Sequence, residues 1–489
     1  MNKKIDSAIL KKENTIKEAM ECINKSDIGG LKAVFIVDEN KKLLGMATDG
    51  DIRRALLKDN DFNAKIGDIM KKNPITALED TPATSLLETM LTNNIQEIPI
   101  VNREGILTNI VLLSELKSIP LSSPDITSKE VEIIKQVLAT PYLSIGPKIK
   151  EFEKKIADFI GVKYAIAVNS GTSGLHLCIR SLGITDDDEV ITTPFSFVAS
   201  ANCILFERAK PVFVDIDENT LCLDVNKIEE KITKKTKAIL PVHIFGHPCE
   251  MDKIMEIAQK YNLAIIEDAC EALGTDYKGK RVGSFGNASV FSFYPNKPIT
   301  TSEGGAIVTN DEKIAKLCQS LRNQGRDEGD AWLSHSRLGY NYRMSELSAA
   351  LGVVQMERIE EILKKRQKVA ELYNQRLSNI KGIKIPYVDP NTTKMSWFVY
   401  VIRLDDKRFS REDRDKIIQE LNSKGINCRD YFSPIHLEPF YVNIFGYKKG
   451  SFPITEKVSN LTIALPFYNN LAEVEINYIC NILEEIINK

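Results

Sequence analysis

The chain has 489 residues, more than one compact core usually holds, so two or three domains are expected. With 43% hydrophobic and 27% charged residues it has the composition of a soluble globular protein, which excludes the disordered and fibrous classes. A formal net charge of -2, from 65 Lys+Arg against 67 Asp+Glu, speaks against nucleic-acid and anionic-membrane partners. The N-terminal stretch MNKKIDSAILKKENTIKEAM lacks the apolar core of a signal peptide. No later run approaches the roughly 18 apolar residues of a membrane helix. Nine scattered cysteines form no Cys-x-x-Cys pair, which fits a reducing compartment. A cytoplasmic protein without a metal site is the expectation.

Residues 1–117 carry an internal repeat. Copy one has a helical stretch (Thr15 to Asn24), then AVFIVDENKKLLGMATDGDIRRALL. Copy two has a helical stretch (Thr84 to Asn93), then EIPIVNREGILTNIVLLSELK. In each, an apolar strand meets a polar turn, a second strand and a helix, and such paired units pack together. SIPLSSPD (118–125) reads as a linker. Beyond it, apolar runs alternate with helical patterns: YAIAV (164–168), EVITT (189–193), PVFVDI (211–216), AILPVHI (238–244), LAIIEDA (263–269), ASVFSF (288–293) and GAIVT (305–309). Strands buried on both faces, as in a parallel α/β sheet, produce this texture. A long helix is predicted around 344–377, and the last hundred residues read as a smaller α+β domain. The implied division is 1–117, 118–125, 126–375 and 376–489.

Four stretches bear chemistry. In AVNSGTSGLHLCIRSL a strand gives way to a helix at Gly171 and Thr172, and a helix start offers free N–H groups to a phosphate. Alone, it is equally an ordinary cap. In TTPFSFVASAN, Phe197 can stack on an aromatic ring, although core packing is the commoner fate of Phe. In IIEDACEALG, Asp268 ends a buried strand at the edge where open α/β sheets bind ligands. Its carboxylate suits a pyridinium nitrogen, and Glu271 lies within reach of the same ring. In SVFSFYPNKPITTSEGGAIVTN, Lys297 is a candidate for Schiff-base formation and proton shuttling. Ser292, five residues earlier, can reach the phosphate that Thr172 meets.

Together these stretches appear in the order phosphate cradle, aromatic, ring-nitrogen acid, lysine. With SIGPKIKEFEKKIADFIGVKYAIAVNSGTSGLHL, EDACEALG, SFYPNK, EGGAIVTN, LRNQGRD and LGYNYRMSELSAALG, residues 121–489 closely resemble the DegT/StrS-type sugar-nucleotide aminotransferases. The resemblance implies a fold-type-I pyridoxal 5′-phosphate (PLP) enzyme, with a mostly parallel sheet and a small C-terminal domain. It also implies a homodimer with active sites between subunits. It assigns Lys297 to covalent cofactor attachment, Asp268 to the pyridinium, Phe197 to stacking, and Thr172 and Ser292 to the phosphate. Asn341 or Arg343 would reach the neighbouring subunit's phosphate. Glu271 stands where Gln or His is common, and Ser302 where Gly is common. The implied reaction moves an amino group, with glutamate as donor, to a nucleotide-linked keto sugar of the NDP-4-keto-6-deoxyhexose kind, for surface-glycan synthesis. Some relatives carry His at the lysine position and act as dehydratases; this chain has Lys297, which favours transamination, and a dehydratase on this scaffold is one alternative. A non-catalytic PLP- or nucleotide-sensing regulator is the other.

Residues 1–117 resemble a CBS (cystathionine-β-synthase-type) pair, an α+β tandem that commonly binds adenine nucleotides. Its ribose-contacting pattern stands in copy one as Gly45, Thr48 and Asp51, with Arg53 or Arg54 available to phosphate. Copy two has Leu112 and Glu115 in place of the hydroxyl and the Asp. The tandem is thus an adenine-nucleotide regulator or a packing and dimerisation element.

Overall fold

Two β-hairpins form the heart of the N-terminal repeat. In the computed structural model, which describes residues 5–26, 28, 31–116, 119–329, 331 and 334–488, Ala33–Val37 pairs antiparallel with Leu43–Thr48, and Glu97–Val101 with Leu107–Leu112. Lys41 (φ 62°) and Gly105 (φ 82°) occupy the left-handed positions that close the two turns. A short strand runs parallel to the first strand of each hairpin, Ile9–Leu10 in one copy and Ala77–Leu78 in the other. The preceding helices are Ile16–Lys25 and Ala83–Thr92.

Strand Ala33–Val37 is buried on both faces. Because side chains alternate along a strand, Val34 and Ile36 enter a core with Ile16, Ile52 and Ile66 of their own copy. Ala33, Phe35 and Val37 instead enter a core with Leu107, Ile110 and Leu112 of the other copy. The two copies therefore share one hydrophobic core. Their turns also meet, through a bridge between Lys42 and Ile106.

The chain divides into two units, Met1–Ile119 with Asn422–Ile426, and Pro120–Leu421 with Asn427–Lys489. The expected boundary at 117/118 lies outside the described residues.

The second unit is built on a seven-stranded sheet. Its strands are β1 (Tyr164–Val168), β2 (Glu189–Thr192), β3 (Lys210–Phe213), β4 (Thr236–Ile239), β5 (Ala264–Asp268), β6 (Ala288–Ser292) and β7 (Gly305–Thr309). Their order is β3-β2-β4-β5-β6-β7-β1. All pairings are parallel except those of β7, which runs antiparallel to both β6 and β1. Ile166, Val168, Val190, Ile191, Ile239, Ile266 and Val290 fill one core. Ala165, Ala167, Phe291, Ala306 and Val308 face another. Helices thus cover both faces, which is why these strands read as continuous apolar runs. Toward the C-terminus, Ile383–Lys384, Tyr400–Leu404 and Thr462–Leu465 form a three-stranded antiparallel sheet, accompanied by helices Arg411–Ser423 and Glu473–Ile487.

The single long helix expected over 344–377 is in fact two, Glu346–Glu357 and Ile359–Leu377. The break falls at Arg358, whose backbone (φ −99°, ψ 4°) leaves the helical region. Its buried guanidinium is held by Asp125 (2.9 Å), Glu130 (2.8 Å) and Glu361 (3.2 Å). An apolar periodicity carries no sign of such a break, since Arg is a good helix former. Among the described residues no helix is long and apolar enough to cross a membrane. All nine cysteines are free thiols. Seven are buried, Cys22 and Cys270 are half-buried, and Cys22 alone belongs to the first unit.

Candidate active site

Turns at the carboxyl ends of β1, β2, β4, β5 and β6 contribute to one cleft of about 950 Å³. After β1, Ser170 caps the helix α1 (Gly171–Ser181), accepting from the Ser173 N–H at 3.1 Å. Gly171 and Thr172 line the cleft at this helix start, where free N–H groups favour an anion. A Cβ on Gly171 would come within 3.0 Å of both Cys270 Sγ and Ser292 Cβ, so only glycine lets the helix start sit this close to the β5 and β6 ends.

After β5, Asp268 is 5% exposed. Ser200 Oγ donates to its Oδ2 at 2.7 Å, and the Cys270 N–H donates to its Oδ1 at 3.2 Å. Its main chain is fixed on both sides, with its N–H given to Pro241 and its carbonyl accepting from His243. Glu271 is also buried and lines the same cleft. It accepts from the Phe245 N–H at 2.8 Å. Burial pushes its carboxyl up from the ordinary range. The Lys297 charge and the Phe245 N–H pull the other way, and the Asp268 charge adds to the upward push.

After β6, Ser292 faces the cleft and the chain turns through Tyr294 to Lys297, whose N–H bonds the Tyr294 carbonyl. The Lys297 side chain points inward with 12% exposure. Its Nζ lies 3.6 Å from Glu271 Oε1 and 3.8 Å from the centroid of the Phe398 ring. Phe197 lines the mouth, 59% exposed.

The structure therefore brings Gly171, Thr172, Phe197, Asp268, Glu271, Ser292 and Lys297 to one cleft. Asn341 lies outside it and is exposed. Its segment runs beside the end of β1, where the Asn169 N–H donates to the Tyr342 carbonyl. Beneath it, His176 joins Tyr342 (3.2 Å) and Glu207 (2.7 Å), and Arg180 completes the network at 2.6 Å from Glu207. Arg343 bonds Asn323 and lines a separate cleft with Arg322, Arg326 and Arg337.

Sequence reasoning missed Ser200, Phe398, Asn296 and the Tyr431–Phe432 pair. Ser200 follows Phe197 by one helical turn, a legible spacing. Asn296 directly precedes Lys297, so it too was legible by position, whereas Phe398 and the Tyr431–Phe432 pair come from distant segments and carry no local signal.

The residues present fit PLP. A primary amine, a carboxylate held by two donors and a helix start with adjoining hydroxyls face one another across a space of the right order. The Asn296 Oδ1 is buried there without a hydrogen-bond partner, a polar atom left for a ligand.

Within the first unit, Thr48 and Asp51 line a cleft of about 410 Å³ together with Lys32, Lys71 and Glu97. They also cap helix Asp49–Asp59 reciprocally. Arg53 pairs with Asp49 and Arg54 with Asp51, while Lys32 and Lys71 are the cations that line the cleft. Gly45 is explained by packing, because a Cβ there would lie 2.8 Å from the Lys71 carbonyl.

Residues 124–484 match the DegT/DnrJ/EryC1/StrS aminotransferase family, and residues 1–58 and 66–121 match the CBS domain. GDP-perosamine synthase of Caulobacter vibrioides is 38% identical over 377 residues, covering 77% of this chain and 100% of that protein. The structure of Helicobacter pylori PseC, an aminotransferase involved in pseudaminic acid biosynthesis, superposes with TM-score 0.73 at 30% identity, over 76% of this chain and 100% of that one. The PLP form of the sugar aminotransferase Spr1654 of Streptococcus pneumoniae superposes with TM-score 0.72 at 29% identity, over 76% of this chain and 99% of that one. With this cleft at the carboxyl end of this sheet, the chain belongs to the DegT/DnrJ/EryC1/StrS aminotransferase family, a fold-type-I, PLP-dependent sugar aminotransferase preceded by a pair of CBS domains.

Proposed function

We propose that the enzyme transfers an amino group from glutamate to the keto carbon of a nucleotide-linked 4-keto-6-deoxyhexose. The observation carrying this reading is that Lys297 and Asp268 share one cleft with the α1 start. The similarity to GDP-perosamine synthase over that protein's whole length supports the substrate class. Bound PLP supplies an aldehyde that takes up the amino group and a ring that delocalises charge. The chain's residues do the rest. Thr172, Ser292 and the α1 N–H groups hold the phosphate. Asp268, steadied by Ser200, accepts from the ring nitrogen. Phe197 flanks the ring. Lys297, over Phe398 and beside Glu271, moves the proton at the donor's α-carbon. Asn341, outside its own subunit's cleft, contacts the phosphate of a partner in a homodimer. The first unit binds an adenine nucleotide at Thr48 and Asp51 and tunes the reaction.

The test is a screen of nucleotide-linked keto sugars with glutamate, with products read by mass spectrometry. Gain of an amine in place of the ketone supports the reading. Loss of water or no turnover on any keto sugar overturns it. Dimers mixed from Lys297→Ala and Asn341→Ala chains should regain activity if Asn341 serves its neighbour, and regain none if it serves its own subunit.

A further inference from the structure

The cleft holds two buried carboxyls and one inward-pointing amine, and the carboxyls are held differently. Asp268 receives two neutral donors, Ser200 Oγ and the Cys270 N–H. Glu271 receives one, the Phe245 N–H on Oε2, while its Oε1 faces Lys297 Nζ at 3.6 Å. The other titratable groups near it are Cys270, whose thiol burial pushes up, and Tyr431, whose hydroxyl is pushed up by burial and then by the Glu271 charge. Neither supplies a positive charge. Among the described residues, the positive charge that faces Glu271 and favours its anion is that of Lys297. Once that positive charge is gone, Glu271 keeps a single backbone donor against its burial, and the ring nitrogen that Asp268 would hold answers the Asp268 charge rather than its own. A buried carboxylate left without a cation takes up a proton.

We propose that Glu271 is the proton acceptor of Lys297, pairing with the ammonium while the amine is free and becoming a neutral acid when the lysine nitrogen bonds covalently to the cofactor aldehyde. This rests on the reading of Lys297 as the attachment point. The balance is simple. The ammonium gives one proton to the Glu271 carboxylate. The free amine then condenses with the aldehyde, forming a C=N bond and releasing the aldehyde oxygen as water. A neutral Glu271 presents an O–H toward the ring, so it is a donor, as Gln or His is at this position. The departure from the family pattern then preserves the hydrogen-bond direction and adds a proton store.

The test is calorimetric titration of the cofactor-free protein with pyridoxal 5′-phosphate, in buffers of different ionisation enthalpy. Wild type should release about one proton fewer to the buffer than Glu271→Gln, because the lysine's proton stays in the cleft. Equal release overturns the proposal. Should Glu271→Gln not fold, the infrared difference between cofactor-loaded and cofactor-free wild type decides. With ¹³C-labelled glutamate, a protonated-carboxyl band should appear on loading and shift with the label, and its absence overturns the proposal. Borohydride reduction and peptide mapping separate the two levels. An adduct on another lysine overturns both the attachment reading and this proposal. An adduct on Lys297 with equal proton release overturns the proposal alone.

Discussion

Asp268 and Glu271 stand three positions apart on one turn, and their surroundings give them different tasks. Replacing Asp268 with Asn keeps an acceptor for Ser200 Oγ but removes the charge that a pyridinium nitrogen needs. We expect turnover of Asp268→Asn to fall roughly 100-fold or more, as when a preorganised electrostatic partner is lost, with a much smaller change in melting temperature. Near-wild-type rates would refute the pyridinium role. Ser302 has a different cost. Its φ of 69° is left-handed. A β-branched side chain tolerates that conformation poorly, so Ser302→Val should lose about 1–2 kcal/mol in denaturant titration. Ser302→Gly should stay within about 1 kcal/mol of wild type, since relief of strain is offset by a freer unfolded chain. At this scale the sequence was legible where chemistry demands a residue type: Lys297, Asp268 and Gly171 stood out by kind and order. Phe398 did not, because it comes from 101 positions beyond Lys297 and only tertiary packing sets it over the amine.

At the scale of elements, the apolar runs foretold the strands of the main sheet, because burial on both faces leaves a continuous hydrophobic signature. The reversed direction of β7 left no such trace, since direction is not encoded in periodicity. The break at Arg358 was hidden for a related reason: its partners Asp125 and Glu130 lie more than 220 residues earlier. Asp125, assigned to a linker on composition, is 5% exposed and bonds Arg358 and Lys365. Glu130 accepts from the Thr127 N–H (2.7 Å), Arg358 (2.8 Å) and Gln355 (2.8 Å). Burial pushes its carboxyl up, but the Thr127 hydroxyl, which also donates to it, and these bonds together hold it down at about 2. Since its folded value lies below its unfolded one, its stabilisation is complete above the ordinary carboxylate range and is lost as the pH falls toward about 2. The stability advantage of wild type over Glu130→Gln should shrink by on the order of 2 kcal/mol between about pH 6 and pH 2. A difference that stays constant over that range would show that the charge contributes nothing.

At the scale of the whole molecule, GDP-perosamine synthase is matched along its full length by about three quarters of this chain. That relative is made without the N-terminal unit, so residues 120–489 should keep amino transfer when the tandem is removed. The tandem should then show itself in regulation. AMP, ADP or ATP should bind wild type in calorimetry and bind Asp51→Ala more weakly. A regulatory ligand must favour one state of the enzyme over another, and a coupling of about 1–3 kcal/mol would change substrate affinity roughly 5–150-fold. Binding with no kinetic effect would remove the regulatory role. The internal repeat was plain in the sequence, but the core shared by its copies was not. Ala33–Val37 reads as one apolar run, and only the fold shows which of its faces belongs to which copy.

The distribution of thiols gives this chain an intrinsic probe of each unit's opening. A disulfide reagent such as dithionitrobenzoate reacts with a shielded thiol only when the surrounding structure opens, so its rate follows the local opening free energy. Cys22 alone reports on the first unit, and the other eight report on the second. Peptide mapping of the modified cysteines over time should yield two separate exchange rates from unlabelled protein. Adenine nucleotide should slow Cys22, and PLP should slow Cys270, which lines the catalytic cleft. If each ligand also slows the other unit's cysteines, the cooperative linkage between the tandem and the catalytic unit is read directly, without substrate or turnover.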